Sequence, residues 1–149
     1  MKLEDEIKQS KFRNEYHKLA VNILYTHGWL ISHQSKVFTD YDLTPQQYNI
    51  LRILRGQYPN PATINLLKDR MLDKMSDASR LVDRLKTKGF VEREICNKDR
   101  RRVDVKITQK GLALLKKLDG SVKESEKMFY RLTISEAETL NNLLDKLRG

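Results

Sequence analysis

The sequence predicts a mainly helical fold carrying one small β-hairpin. Three observations point there. Apolar residues recur at three- and four-residue steps over most of the 149 residues. Two neighbouring stretches, FVEREI and VDVKI, switch to β-forming residues, and the second alternates strictly. Side chains suited to capping stand where several of the helical patterns begin.

The first helical pattern runs from about residue 4 to about residue 37, with Phe12, Tyr16, Leu19, Ile23, Leu24, Leu30 and Ile31 in its stripe. Gly28 weakens it without ending it. A helix this long outgrows a small core, so part of its stripe is expected to pack on something outside its own fold. TDYDL breaks the pattern. Thr44, Pro45 and Gln47 then form a capping box with proline at the first helical position, and Tyr48, Leu51, Ile53 and Leu54 make the apolar face. YPNPAT reads as a turn. A short helix follows with Ile64, Leu66, Leu67 and Met71 inward.

LDK breaks the chain again, and Asp73 is the expected N-cap of the next helix, MSDASRLVDRLKTK, which Gly89 stops. At 100° per residue, Met75, Ala78, Leu81, Val82 and Leu85 cluster on one side of it. The two strands come next, joined by a loop over about residues 96–102 that carries Arg100, Arg101 and Arg102 to a hairpin tip. Thr108 caps another long helix with Leu112, Leu115, Leu118 and Val122, then Met128 and Phe129, and Gly120 and Ser121 are its expected bend. A second capping box, Thr133 to Glu136, opens a last helix whose Leu140, Leu143, Leu144 and Leu147 need a partner surface.

Charge is as informative as periodicity. The net charge is +9, and between Lys74 and Lys117 fourteen Lys and Arg face six Asp and Glu, so that segment holds nearly all of the excess. A localised basic region implies a polyanionic partner, most often nucleic acid; a merely solvated charged face is the plainer alternative. No apolar run is long enough to span a membrane, and MKLEDEIKQSKF lacks the basic start and apolar stretch of a signal peptide. With one cysteine, Cys96, and no disulfide framework, a cytoplasmic location is expected.

The central order of helix, helix, turn, helix and hairpin is that of a winged helix-turn-helix. Its third helix would bury Ala78, Leu81, Val82 and Leu85 while its outer side chains enter a major groove. The hairpin would project its arginines beside the duplex, where a narrow minor groove attracts them. Like charges at one tip repel each other, and phosphates would relieve that repulsion while releasing counterions.

SRLVDRLKTKGFVEREICNKDRRRVDVKITQKG resembles the signature region of MarR-family transcriptional regulators. Asp99-x-Arg101, then Ile107-Thr108 and Gly111, matches the wing and the start of the next helix; Arg80-Leu81-x-Asp83-x-Leu85 matches the recognition helix. The long first helix and the paired C-terminal helices extend the likeness over essentially the whole chain. The resemblance implies a winged-helix DNA-binding lobe over about residues 40–110 and a helical dimerisation region over about residues 1–38 and 111–149. It implies a homodimer on double-stranded DNA at a pseudo-palindromic operator, acting as a repressor released by a small phenolic or aromatic acid.

Roles follow by position. Arg101 would enter the minor groove, and Asp99 would hold its guanidinium in an ion pair. Arg100 and Arg102 would meet phosphate or fold back along the strands. Ser76, Asp77, Ser79 and Arg80 would lie in the half of the recognition helix that reaches base edges. Arg84, Lys86 and Lys98 would touch phosphate. Thr63 would give a backbone contact from the start of the preceding helix.

Tyr25, Trp29 and His33 stand at four-residue steps on the first helix. The resemblance makes them candidates for an effector cleft, with Arg52 or Arg55 meeting an acid group; packing at a dimer interface is the other reading. Cys96, at the edge of the wing, is either a redox switch or a quiet thiol, and the family's peroxide-sensing cysteine near the N-terminus has no counterpart here. His17, His27 and His33 do not form a metal set. No phosphate-binding loop, activated nucleophile or convincing carboxylate pair is present, so no enzymatic activity and no cofactor are expected. Two other function classes stay open, an architectural protein coating DNA without sequence preference and a winged helix used for protein contact.

Overall fold

The computed structural model describes all residues, 1–149. Seven α-helices and three short strands follow in the order α1 (Leu3–Ile7), α2 (Glu15–Thr39), α3 (Pro45–Gln57), β1 (Ala62–Thr63), α4 (Ile64–Arg70), α5 (Ala78–Thr87), β2 (Val91–Ile95), β3 (Val103–Ile107), α6 (Gln109–Glu126) and α7 (Ile134–Arg148), with a 3₁₀ turn at Lys127–Arg131 before α7. The expected class, mainly helical with a small β wing, holds.

Local chemistry sets most of the boundaries. The Thr44 hydroxyl accepts from the Gln47 N–H at 3.1 Å while Gln47 Oε1 accepts from the Thr44 N–H at 3.2 Å, the reciprocal capping box that starts α3. Thr133 and Glu136 form a second such box at the start of α7, while the Thr63 and Thr108 hydroxyls cap α4 and α6 by accepting from the Leu66 and Gly111 N–H. Gly89 ends α5 at φ +78, a left-handed conformation that a Cβ disfavours. Gly111, in the first turn of α6, is required for a different reason: a Cβ there would stand 2.4 Å from the Phe90 carbonyl oxygen.

One apolar core forms, and it belongs to the middle of the chain. Its 19 residues include Ile50, Leu51 and Leu54 of α3, Leu67 of α4, Ala78, Val82 and Leu85 of α5, Val105 and Ile107 of β3, and Leu115 and Leu118 of α6. α2 adds only Phe38, stacked on Tyr48 at 4.4 Å between ring centroids. α7 buries nothing, and Tyr16, Leu24, Tyr130, Ile134, Leu143 and Leu147 are all exposed. Isolated helices of this length are marginal in water, and exposed apolar faces of this kind are a feature of interaction surfaces.

Four expectations are corrected. The first helix is two helices. Lys8 takes a left-handed conformation (φ 56) that closes α1, and Asn14 caps α2 by accepting from the His17 N–H at 2.9 Å. α1 folds against α2, with Glu4 paired to Lys18 at 2.5 Å and the Tyr25 hydroxyl donating to Glu6 at 2.5 Å.

The helix expected from Asp73 begins at Ala78 instead. The Asp73 carboxylate accepts from the Met75 N–H at 3.0 Å in a tight turn, a bond that holds its pKa below the usual carboxylate value, and Asp77 is the true cap, accepting from the Arg80 N–H at 3.1 Å. Met75, expected inward, is therefore 93% exposed.

The sheet has three strands rather than two, in the order β1-β3-β2, all antiparallel, because Ala62 and Thr63 add to the free edge of β3 opposite Val105 and Asp104. Finally, the sixth helix does not continue through Met128 and Phe129; it runs without a break past Gly120 and Ser121 to Glu126 and tightens to 3₁₀ at Lys127–Arg131.

Gly111→Ala should destabilise the fold by about 1–3 kcal/mol, since the obstruction is main chain and cannot rotate away. Urea unfolding checks this, and an unchanged midpoint would refute the close approach of α6 to Phe90.

Candidate nucleic-acid interface

α5 and the hairpin β2–β3 carry a cluster of free positive charge. Ala78, Val82 and Leu85 are fully buried on the inner side of α5, which turns Arg80, Asp83, Arg84 and Thr87 outward. Arg80 and Arg84 are one turn apart, exposed and without an acidic partner. Asp83, the carboxylate on this face, is paired with Arg93 of β2, which cancels its charge and ties α5 to the hairpin. Sequence reading passed over Arg93; the clue is its position at alternate spacing from the buried Val91.

Of the other residues expected on this helix, Ser79 is half-buried in its first turn and Lys86 is exposed on its flank. Ser76 and Asp77 precede the helix, Ser76 half-buried in the turn and Asp77 with its carboxylate committed to the cap.

The loop between β2 and β3 is ordered by main-chain bonds. The Cys96 N–H donates to the Arg102 carbonyl at 2.9 Å, and the Arg102 N–H to the Asp99 carbonyl at 3.0 Å. The expected Asp99–Arg101 side-chain pair does not form. The Asp99 carboxylate instead accepts from the Arg101 backbone N–H at 3.0 Å, so it shapes the turn and leaves the guanidinium unpaired. The ion pair of the wing is Arg102 with Asp104, at 2.9 Å, and that neighbour strengthens the hold of the guanidinium on its proton. Lys98, Arg100 and Arg101 remain exposed and without a carboxylate partner.

Thr63 caps α4 through the Leu66 N–H at 3.1 Å and lines a groove with Asn65, Asp99 and Arg101, so the start of α4 and the wing tip adjoin. Cys96 is a free, half-buried thiol at the base of this loop.

A cavity of about 200 Å³ lies where α2, α3 and the end of α6 meet. His33 and Arg52 line it. The other three residues expected there do not. Trp29 packs on the His33 ring at 4.6 Å but faces a separate, more open hollow shared with Tyr25, Glu6 and Arg131. The Tyr25 hydroxyl is held by Glu6, which raises its pKa. Arg55 reaches across to Asp119 of α6, with two contacts at 3.0 and 3.1 Å. Arg52 is thus the cation left free at the cavity, its guanidinium 6.0 Å from the Tyr48 ring.

Comparison with known proteins gives one answer from two directions. Residues 41–102 match the model of the MarR family. A MarR transcription factor from Planctomyces limnophilus is 29% identical with a TM-score of 0.69, over 91% of this chain and 98% of that one. A cysteine-to-serine mutant of MarR from E. coli, solved in complex with operator DNA, is 27% identical with a TM-score of 0.79, over 93% and 99%. BpsR of Bordetella bronchiseptica, whose DNA binding is regulated by 6-hydroxynicotinic acid, shares the fold at 20% identity, with a TM-score of 0.76 over 89% and 99%. The central lobe thus matches the MarR family model, and nine-tenths of the chain shares the winged-helix fold of MarR-family transcription regulators.

Proposed function

We propose that the protein is a sequence-specific transcriptional repressor that binds a pseudo-palindromic operator as a homodimer and is released by a small aromatic acid. The observation that carries this reading is the pair of free cation sets, Arg80 and Arg84 on α5 and Arg100 and Arg101 on the wing, on two elements joined by the Asp83–Arg93 pair. The likeness to E. coli MarR, solved on operator DNA, supports it. In this reading residues of about 40–110 form the DNA-binding lobe. α5 reads base edges from Ser79 and Arg80, with Ser76 and Asp77 setting its start. Arg101 enters the minor groove. Arg84, Lys86, Lys98, Arg100 and Thr63 hold phosphate, while Arg102 orders the wing through Asp104.

Selection from random duplexes tests the central claim. A repressor of this kind enriches one palindrome with half-sites about one helical turn apart, whereas enrichment of no sequence would mark an architectural coat. On the selected duplex, Arg101→Ala should weaken binding and reduce the salt slope by about 1, and Arg80→Ala should cost about 1–3 kcal/mol at one base position. Unchanged affinity and slope for Arg101→Ala would remove the wing from the interface.

The helices outside the lobe, about residues 1–38 and 111–149, supply the dimer contact in this reading. The support is their unburied apolar surface, above all Leu140, Leu143 and Leu147 on a helix with no buried residue. Leu143→Glu should shift sedimentation equilibrium from dimer to monomer and lower operator affinity at least tenfold; a wild-type chain that sediments as a monomer at micromolar concentration would end the proposal.

The cavity suits a one-ring acid. An apolar cavity of about 150 Å³ accepts benzene, and this one adds a free guanidinium at Arg52 beside the stacked Phe38 and Tyr48. Benzoate and 4-hydroxybenzoate should bind by calorimetry and loosen the operator complex. Arg52→Ala should weaken that binding about tenfold while leaving DNA affinity in the absence of ligand within about twofold, on the scale of one charge-assisted contact.

A further inference from the structure

The cavity at α2, α3 and α6 shares two of its lining residues with the turn that launches α5. Asn49, on α3, accepts the Leu72 N–H through its side-chain oxygen at 2.9 Å, and both residues border the cavity. Leu72 stands directly after Met71, which is anchored in the core at 2% exposure, yet its own side chain is 87% exposed. An apolar side chain thus hangs at the cavity edge without a packing partner. From Leu72 the chain passes through the Asp73 turn to Asp77, the cap of α5, so Leu72 and the start of that helix are separated by one short turn. Arg52 lies three residues beyond Asn49 on α3, on the same side of the helix.

We propose that Asn49 and Leu72 are positioning residues that convey occupancy of the cavity to the recognition helix. This rests on the reading of the cavity as a ligand site. With the cavity empty, Asn49 holds the Leu72 N–H and fixes the turn. An aromatic acid anchored at Arg52 offers the Leu72 side chain an apolar surface. Burying a leucine side chain gains more than one hydrogen bond in competition with water, so the turn closes over the ligand and releases Asn49. That burial is the contact a ligand makes in one state and not in the other, which any shift in population requires. The moved turn carries Asp77 with it, and Arg80 leaves the register in which it faces DNA.

A tethered occupant tests the joint without relying on a natural ligand. In a Cys96→Ser background, Ser125→Cys places one thiol in the cavity lining, and benzyl methanethiosulfonate attaches a single aromatic ring there. Amide hydrogen exchange of residues 72–77, measured without DNA, should rise at least tenfold on attachment, and affinity for the selected duplex should fall at least tenfold. In Leu72→Ala, attachment should change both by less than twofold. Asn49→Ala should show fast exchange at Leu72 before attachment, and Asn49→Asp, which keeps an acceptor, should restore protection. Unchanged exchange on attachment, or an equal loss of affinity in the Leu72→Ala chain, would overturn the proposal. Failure of the ligand reading looks different: free benzoates would not bind, while the tethered ring would still loosen the turn. A chain that bound no duplex would still report on the joint through exchange.

Discussion

α3 carries the buried side chains on which the rest of the lobe is assembled. Ile50, Leu51 and Leu54 are at most 1% exposed, and α2, α4, α5, α6 and β3 all pack on this one helix. Close packing of this kind leaves no room for a compensating shift, so the direction of α3 sets the direction of everything attached to it. Its capping box fixes where it starts, its apolar face fixes the core, and its remaining face holds Asn49, Arg52 and Arg55. The same thirteen residues therefore serve stability, a cavity wall and the support of the turn before α5.

Four acidic residues on the binding side are committed. Asp77 caps α5, Asp83 neutralises Arg93, Asp99 shapes the wing turn through main-chain bonds, and Asp104 takes Arg102. Exposed ion pairs add little stability, so their importance lies elsewhere. They orient two elements and cancel charge locally, which leaves Arg80, Arg84, Lys86, Lys98, Arg100 and Arg101 uncompensated. The tip stores mutual repulsion that a polyanion relieves.

Where local chemistry decides, the residues were readable in advance. Thr44 with Gln47, Thr108, Thr133 with Glu136, and Gly89 each act through neighbours within four positions. Where distant packing decides, they were not. The apolar spacing of the first helix runs unbroken through Phe12 and Tyr16, and only the cap at Asn14 betrays the break. Asp73 and Asp77 both make cap-like bonds four residues apart, and what selects the second as the helix start is Ala78 entering the core while Met75 stays in solvent. A two-residue strand such as β1 has no period to detect. At the site, the arginine triplet was legible as a charged tip, but which arginine is compensated depends on Asp104 in β3. The stripe of Tyr25, Trp29 and His33 divides because steps of four drift around a helix by about 40° each, so only the last of the three reaches the cavity.

The tail helix has a consequence for physiology. α7 is capped at one end and buries no residue in its own chain. In the proposed homodimer its order would rest on the partner copy, since an unaccompanied helix of fifteen residues is marginal in water. If the proposed homodimer closes over α7, the order of this helix follows abundance: scarce copies would leave it loose, and plentiful ones would lock it.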